Sequence, residues 1–270
     1  MIQPVNSGRS LVREIEGSDS PTPRLWWLGH SGFAIKFRKA ILYVDPFLSD
    51  AYRDQPRAMT APLRPSEIAH AGLILATHKH ADHLDPCAVP AMIAASPRAK
   101  LVVPKSVGRH AHSIGVRYDR MVTTDSGLRV EYLDDRIYAV PSAHESLDYT
   151  PLGGYPYLGY LIRFGYYTIY HAGDCVPYAE LADRLRPYNV TVALLPISGR
   201  HPDRPGNFEI PEAAQLAEDI GARWLVPMHY GMFAPGAAKE NRFVEHMLGQ
   251  RPSQQFKIFQ CGEGWTIPSE

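Results

Sequence analysis

Short apolar runs separated by turn residues dominate the pattern of hydrophobic and polar positions in the first third of the chain. Three such runs, Leu25–Leu28, Phe33–Phe37 and Ile41–Val44, are rich in aromatic and aliphatic residues. They predict an antiparallel meander of three strands. Further along, the mostly apolar run Gly72–Thr77 predicts a buried strand, and Asp85–Ala95, with a proline in its first turn, predicts a helix.

The remaining strands and helices predicted from the pattern continue in the same style to the end of the chain. Strands are predicted at Leu101–Val103, Leu128–Leu133, Ile137–Val140, Tyr157–Phe164, Tyr166–Tyr170, Val190–Leu195, Trp224–Val226 and near Phe256–Phe259. Helices are predicted at Lys105–Ser113, Pro177–Leu185, Pro211–Ile220 and about Lys239–Leu248. Each half of the chain starts with strands and then alternates strands with helices. This order predicts an α/β (α+β) fold, a four-layer αββα sandwich of two mixed β-sheets with helices on the outer faces.

The first 23 residues differ from the rest of the chain in composition. They are polar and interrupted by Ser, Gly and Pro, which predicts an N-terminal arm with little order of its own. We find no repeat of fixed period, no low-complexity tract and no linker in the remainder. We therefore expect residues 24–270 to form a single domain.

The amino-acid composition argues against several classes of protein. The chain has 270 residues, 28 Lys+Arg and 28 Asp+Glu, so its formal net charge is zero, and it contains no block of like charges. Both features argue against a protein that binds mainly to nucleic-acid phosphates. Three cysteines, none in a C-x-x-C spacing, favour a reducing compartment. The longest apolar run, Ala71–Ala76, is too short to span a bilayer, and the first residues lack the apolar stretch of a signal peptide. We expect a cytoplasmic protein without nucleic-acid or membrane partners.

One segment, Thr77–His83, concentrates chemically active side chains. It carries His78, His80, Asp82 and His83 directly after the predicted buried strand. Imidazole nitrogens and carboxylate oxygens are metal ligands, and a loop at the end of a strand can turn them toward one point. The alternative is a histidine-rich surface loop, but four metal-competent side chains in the order H-x-H-x-D-H favour a metal site.

This segment resembles the signature of the metallo-β-lactamase superfamily, in which H-x-H-x-D-H is followed by three isolated ligands. The later positions occur here in the same order: His144 in Pro141–Glu145, Asp174 in Tyr170–Asp174 and His229 in Val226–Gly231. Each follows a predicted strand. A lone histidine at a strand end is more often structural, so the order and placement of all three support the resemblance. The likeness runs from about Trp26 to the end of the chain.

The resemblance implies that seven side chains hold two divalent metal ions about 3.5–4 Å apart. The first ion would take His78, His80 and His144; the second would take Asp82, His83 and His229; and Asp174 would bridge the two. Such a pair lowers the pKa of bound water to about 7, which provides a nucleophile at neutral pH. Asp82 would also act as the catalytic residue that orients the hydroxide or takes its proton. Without a thiolate in the set, the ions would be Zn or Mn, with Fe also compatible.

Within the superfamily, the chain resembles the branch of L-ascorbate 6-phosphate lactonase and its relatives. The supporting strings are Trp27–Phe33, Tyr157–Tyr160, Leu194–Ile197 and Pro227–Phe233, and the first of them is also similar to N-acylphosphatidylethanolamine-hydrolysing phospholipase D. Cys175 departs from the family pattern, which usually has Thr or Ser after the bridging Asp. Its thiol is an extra ligand, a site sensitive to oxidation or, as we expect, a buried inert side chain.

Four further residues are candidates for substrate binding. Arg200 and His201 lie in a Gly- and Pro-rich loop after a predicted core strand, where an arginine can bind phosphate or carboxylate. A solvated loop explains the same residues equally well. His30 follows the first strand and either binds substrate or lies behind the ligands, and Glu145, which follows a predicted ligand, contacts either substrate or only solvent.

These features predict a binuclear metal-dependent hydrolase. A metal-bridging hydroxide would attack an ester, a lactone or a phosphodiester in a small molecule, with a phosphorylated, anionic one among the candidates. Two other classes stay open: an iron-dependent oxidoreductase on the same scaffold, and a metal-containing binding protein without turnover. The sequence also leaves open whether the chain forms a homo-oligomer.

Overall fold

Two mixed β-sheets, each of seven strands, form the framework of the protein in the computed structural model, which describes residues 1–50, 56–200, 206–233 and 238–269. The chain divides into two units, each containing one of these sheets. The first unit comprises Met1–Thr124, Met232–Pro235 and Phe259–Glu270. The second comprises Asp125–Gly231 and Gly236–Ile258.

The first sheet begins with an antiparallel meander and continues with parallel strands. Its strands are β1 (Arg24–Gly29), β2 (Gly32–Phe37), β3 (Ala40–Val44), β4 (Leu73–Leu75), β5 (Lys100–Pro104), β6 (Met121–Thr124) and β14 (Gly264–Thr266). Their order across the sheet is β14-β1-β2-β3-β4-β5-β6. β1, β2 and β3 pair antiparallel, as the sequence predicts, and β3 to β6 pair parallel. The carboxyl ends of β3 and β4 therefore lie at one edge of the sheet.

The described part of the first unit contains the α-helices α1 (Gly8–Gly17), α2 (Ala88–Ala95) and α3 (Gly108–Ser113). Their apolar residues join alternate residues of the strands in one hydrophobic core, which includes Trp26 of β1, Ile74 of β4 and Met92 of α2. Because successive strand residues point to opposite faces of a sheet, these strand residues share one face.

Helix α1 lies in the segment for which the sequence predicts an arm with little order. Its apolar residues Leu11 and Ile15 are four positions apart, so they lie on one face of the helix, and both are fully buried. Glu14 binds the Arg24 guanidinium and accepts a hydrogen bond from the Trp26 indole at 3.2 Å. Because the other residues of this segment are mostly polar, two apolar residues are too few to predict a helix from the sequence. That residues 24–270 form one domain stays a prediction.

The second sheet is also part antiparallel and part parallel. Its strands are β7 (Arg129–Tyr132), β8 (Asp135–Pro141), β9 (Leu158–Phe164), β10 (Tyr167–His171), β11 (Val192–Pro196), β12 (Trp224–Met228) and β13 (Gln255–Phe256). Helices α4 (Leu181–Leu185), α5 (Ile210–Asp219) and α6 (Ala238–Gln250) accompany them. β7 to β10 pair antiparallel, and β10 to β13 pair parallel. It follows that β8, β10 and β12 run in the same direction and end at the same edge.

The observed helices and strands differ from the predicted ones in a few places, for local reasons. Helix α2 begins at Ala88 rather than at Asp85, because the Asp85 carboxylate accepts hydrogen bonds from the backbone N–H groups of Cys87 and Ala88. The sequence analysis misses the edge strands β6 and β14, which are short and carry little apolar pattern. Among the described helices, none combines the length and the apolar character needed to cross a bilayer. The cytoplasmic location stays a prediction.

Candidate metal centre

The loop after β4 carries four of the predicted metal ligands. The Nε2 atom of His78 lies 3.0 Å from Nδ1 of His80, and the rings of His78 and His83 are 4.1 Å apart. Nε2 of His83 lies 3.9 Å from Oδ2 of Asp82. Nitrogens that share one tetrahedral ion at about 2.0–2.1 Å lie roughly 3.3 Å apart, so the spacing of His78 and His80 fits a common ion.

Asp45, directly after β3, fixes this loop. Its fully buried carboxylate accepts hydrogen bonds from the backbone N–H and the hydroxyl of Thr77, both at 2.8 Å. Its Oδ2 also lies 2.7 Å from Nδ1 of His83. Because an ionised carboxylate only accepts, His83 donates from Nδ1, and Nε2 is the nitrogen that a metal ion would use. The sequence analysis misses Asp45, although its place at the end of an apolar strand is the signal that it shares with the predicted ligands.

The other three predicted ligands follow the three co-directional strands of the second sheet. His144 comes after β8, Asp174 after β10 and His229 after β12. Nε2 of His144 lies 3.5 Å from Oδ2 of Asp174, and Nε2 of His229 lies 3.2 Å from Oδ1 of the same carboxylate. Asp174 therefore presents one oxygen to each histidine, as a bridging ligand would. His144 and Asp174 are both 5% exposed.

Backbone contacts hold the Asp174 loop in place. The N–H of Cys175 donates to Oδ1 of Asn207 at 2.8 Å, and the N–H of Val176 donates to the carbonyl of Ala143 at 2.7 Å. Asn207 is 2% exposed and donates from Nδ2 to the Ser198 hydroxyl at 3.0 Å. These bonds tie the two residues after Asp174 to the loop before α5 and to the residue before His144, respectively. The sequence analysis misses Asn207, and no local pattern marks it.

The Cys175 side chain is not in the thiolate form that binds a metal ion. The side chain is fully buried, and Sγ donates to the carbonyl of Val176 at 3.3 Å. Burial raises the pKa of this thiol to about 12. At neutral pH it is therefore protonated, in agreement with the expectation of a buried inert side chain.

The candidate substrate residues differ in their surroundings. Nε2 of His30 lies 3.0 Å from Oδ2 of Asp82, so this histidine contacts a predicted ligand. The Arg200 guanidinium donates to Glu212 at 2.7 Å, and Glu145 is exposed. His201 lies outside the described residues. That these four residues bind substrate stays a prediction.

Tyr157 is a further aromatic neighbour of the predicted ligands. Its ring lies 5.0 Å from that of His144 in an edge-to-face arrangement. The side chain is half-buried, and burial raises the pKa of its hydroxyl. The hydroxyl therefore stays protonated at neutral pH and can donate a hydrogen bond.

Comparison with known proteins identifies the family of the chain. Residues 41–230 match the family described as "Beta-lactamase superfamily domain". A UPF0173 metal-dependent hydrolase of Thermococcus kodakarensis is 34% identical over 245 residues, which cover 88% of this chain and 96% of that protein. A relative from Pyrococcus furiosus with the same family name is 32% identical over 233 residues, covering 84% of this chain and 93% of that protein.

Solved structures share the fold at lower identity. Igni18, a metallo hydrolase of Ignicoccus hospitalis, has a TM-score of 0.66 and 22% identity, covering 92% of this chain and all of its own. These comparisons confirm the predicted superfamily and the α+β fold class with two mixed sheets; the likeness to the lactonase branch stays a prediction. The chain belongs to the metallo-β-lactamase superfamily and, within it, to the UPF0173 family of metal-dependent hydrolases.

Proposed function

We propose that this metal-dependent hydrolase is binuclear and cleaves an ester, a lactone or a phosphodiester. His78, His80 and His144 would hold one ion, Asp82, His83 and His229 would hold the other, and Asp174 would contribute a ligand to both. The observation that supports this most directly is the Asp174 carboxylate, whose two oxygens face two different imidazoles at 3.5 and 3.2 Å. A carboxylate that served one ion alone would not need both oxygens directed at separate ligands.

The donor set suits divalent Zn or Mn and is also compatible with Fe, because it combines imidazole nitrogens with carboxylate oxygens. When bound, a pair of such ions lowers the pKa of coordinated water to about 7 and polarises the oxygen of the scissile group. The carboxylates of Asp82 and Asp174 would offset part of the positive charge of the ions. Asp82, whose Oδ2 lies 3.0 Å from Nε2 of His30, would accept the proton released in the reaction.

The three candidate substrate classes share an electrophilic carbon or phosphorus next to an oxygen that can be polarised. Arg200 donates from one guanidinium nitrogen to Glu212, so an anionic substrate group that bound there would share the guanidinium with that carboxylate. Phosphorylated substrates are therefore tested beside neutral esters and lactones of similar size.

The test combines metal analysis with hydrolysis assays. Protein freed of metal is reconstituted with Zn²⁺ or Mn²⁺, its metal content is measured, and p-nitrophenyl acetate, bis(p-nitrophenyl) phosphate and a simple lactone are assayed. We expect about two ions per chain and loss of hydrolysis in Asp174→Ala. Asp134→Asn, an exposed carboxylate in the same unit, serves as the matched control and should behave as the wild type.

Three results would contradict the proposal. Absence of metal after reconstitution would exclude metal-dependent hydrolysis, and one ion per chain would exclude the binuclear site. Retention of iron with oxygen uptake but no hydrolysis would favour oxidation instead. A diiron β-hydroxylase of Streptomyces venezuelae, CmlA, shares the fold with a TM-score of 0.68 at 15% identity, covering 93% of this chain and 55% of that protein.

A further inference from the structure

A strained histidine joins the first two strands of the chain. β1 and β2 form a hairpin in which Gly29 pairs with Gly32, so His30 and Ser31 are the turn. His30 has φ +56°, in the left-handed region that glycine prefers at the first central position of such a turn. A side chain in this conformation is strained, and it persists only where the surroundings hold it.

The surroundings of His30 hold both its backbone and its ring. Its carbonyl accepts a hydrogen bond from the Trp27 indole at 3.0 Å. Its ring contacts Phe47 and Phe233 edge-to-face, at centroid distances of 6.1 and 5.4 Å, and the residue is 1% exposed. The imidazole therefore has one orientation, fixed by the turn and by two aromatic rings.

In that orientation the imidazole faces Asp82. Its Nε2 lies 3.0 Å from Oδ2 of the carboxylate. Because an ionised carboxylate has no proton to donate, Nε2 carries the hydrogen and donates it to Oδ2. The bond restricts rotation of the carboxylate and leaves its remaining lone pairs to bind an ion.

Two consecutive ligands of the same proposed ion thus have separate buried partners. Asp45 binds the side of the His83 ring opposite its ligand atom, and His30 binds one oxygen of Asp82. Hydrogen bonds of this kind orient ligands and raise metal affinity in other metal sites.

We propose that His30 is a positioning residue that acts through Asp82. Its N–H holds the Asp82 carboxylate in the orientation that binds the second ion. The inference rests on the proposed binuclear site. A side chain that only filled the space between two phenylalanines would not require a nitrogen facing a buried carboxylate.

The experiment compares three variants of the full chain. His30→Leu keeps an apolar side chain of similar size but removes the donor, and His30→Gln keeps an N–H donor near the position of Nε2. His70→Leu is the matched control, because His70 is also a buried histidine of the first unit but binds Tyr43 at 2.7 Å rather than a proposed ligand. Zn²⁺ affinity is measured by competition with a chromophoric chelator, alongside thermal unfolding of the metal-free proteins and kcat and KM with p-nitrophenyl acetate.

We expect His30→Leu to weaken one of the two Zn²⁺ sites by about 10–100-fold and to lower kcat with little change in KM. His30→Gln should recover most of that affinity. His70→Leu should keep both Zn²⁺ affinities, whatever its effect on unfolding. If His30→Leu does not fold, His30→Asn takes its place, because asparagine tolerates the left-handed backbone but its shorter amide does not reach Asp82.

The role of His30 is overturned if the donor-free variant keeps both Zn²⁺ affinities. It is also overturned if His30→Gln is as weak as that variant, or if His70→Leu loses the same affinity. These results leave the proposed function intact, because the wild type still binds two ions. A wild type that binds fewer than two Zn²⁺ ions contradicts the proposed binuclear function itself, and the role of His30 with it.

Discussion

The Asp45 carboxylate lies 2.7 Å from Nδ1 of His83, and both side chains are fully buried. Burial of a charged carboxylate is costly unless hydrogen bonds compensate it, and here His83 and both donors of Thr77 do so. The arrangement fixes the tautomer of His83 as well as its orientation. Asp45 therefore determines which nitrogen is available to a metal, although it is not itself among the proposed ligands.

Asp45→Asn should keep the fold but weaken metal binding. Asparagine tolerates the φ of +44° at this position, and its carbonyl oxygen can still accept the Thr77 N–H. Its amide N–H₂ would face Nδ1 of His83, which favours the tautomer with a proton on Nε2, the ligand atom. We expect a loss of metal affinity of about 10–100-fold, measured by chelator competition. An unchanged affinity in a variant with unchanged far-UV circular dichroism would contradict this role.

The sequence marks the residues proposed as metal ligands more clearly than it marks their hydrogen-bond partners, and the reason is physical. The proposed ligands occupy fixed places in a motif or at strand ends, where spacing along the chain determines their direction. Asp45 is 38 positions from His83, and Asn207 is 32 positions from Cys175, so tertiary packing alone brings each pair together. Helix α1 is missed for another reason, since only two buried residues define its apolar face.

Asn207→Ala should destabilise the second unit. The substitution removes the acceptor of the Cys175 N–H, which is buried, and an unsatisfied buried donor costs about 1–3 kcal/mol. We expect a loss of that size in the free energy of unfolding in urea. Asn207→Asp keeps an acceptor and serves as the matched variant, with a smaller loss. Equal losses in the two variants would show that the hydrogen bond to Cys175 is not the cause.

Only one cysteine should react with thiol reagents in the folded protein. Cys87 is exposed, whereas Cys175 and Cys261 are buried, and burial raises the pKa of each buried thiol to about 12. Thiolate is the reactive form, so both buried thiols are protected at pH 8 by burial and by protonation. We expect Ellman's reagent to detect one thiol per chain before unfolding and three in guanidinium chloride. In Cys87→Ser the folded protein should show none; rapid modification of a second thiol would contradict the burial of Cys175 and Cys261.

The stability of the metal-free protein should depend on pH through His70. Burial lowers the pKa of His70, and Glu16, whose carboxylate lies 3.3 Å from its Nδ1, offsets part of this effect. Lys36 also lowers the pKa, and the neighbouring Tyr43 hydroxyl, whose own pKa burial raises, stays neutral. Because the folded pKa is below that of the unfolded chain, about 6.5, the unfolded state binds the proton first as pH falls. The contribution of His70 is therefore complete above pH 7.5 and declines through pH 6.5 toward the lowered folded pKa. The free energy of unfolding of the wild type and of His70→Gln is measured in urea with EDTA. Between pH 8 and pH 5, we expect the value for the wild type to decrease relative to that for His70→Gln. A difference that is constant over this range, or that shifts in favour of the wild type, would contradict the lowered pKa.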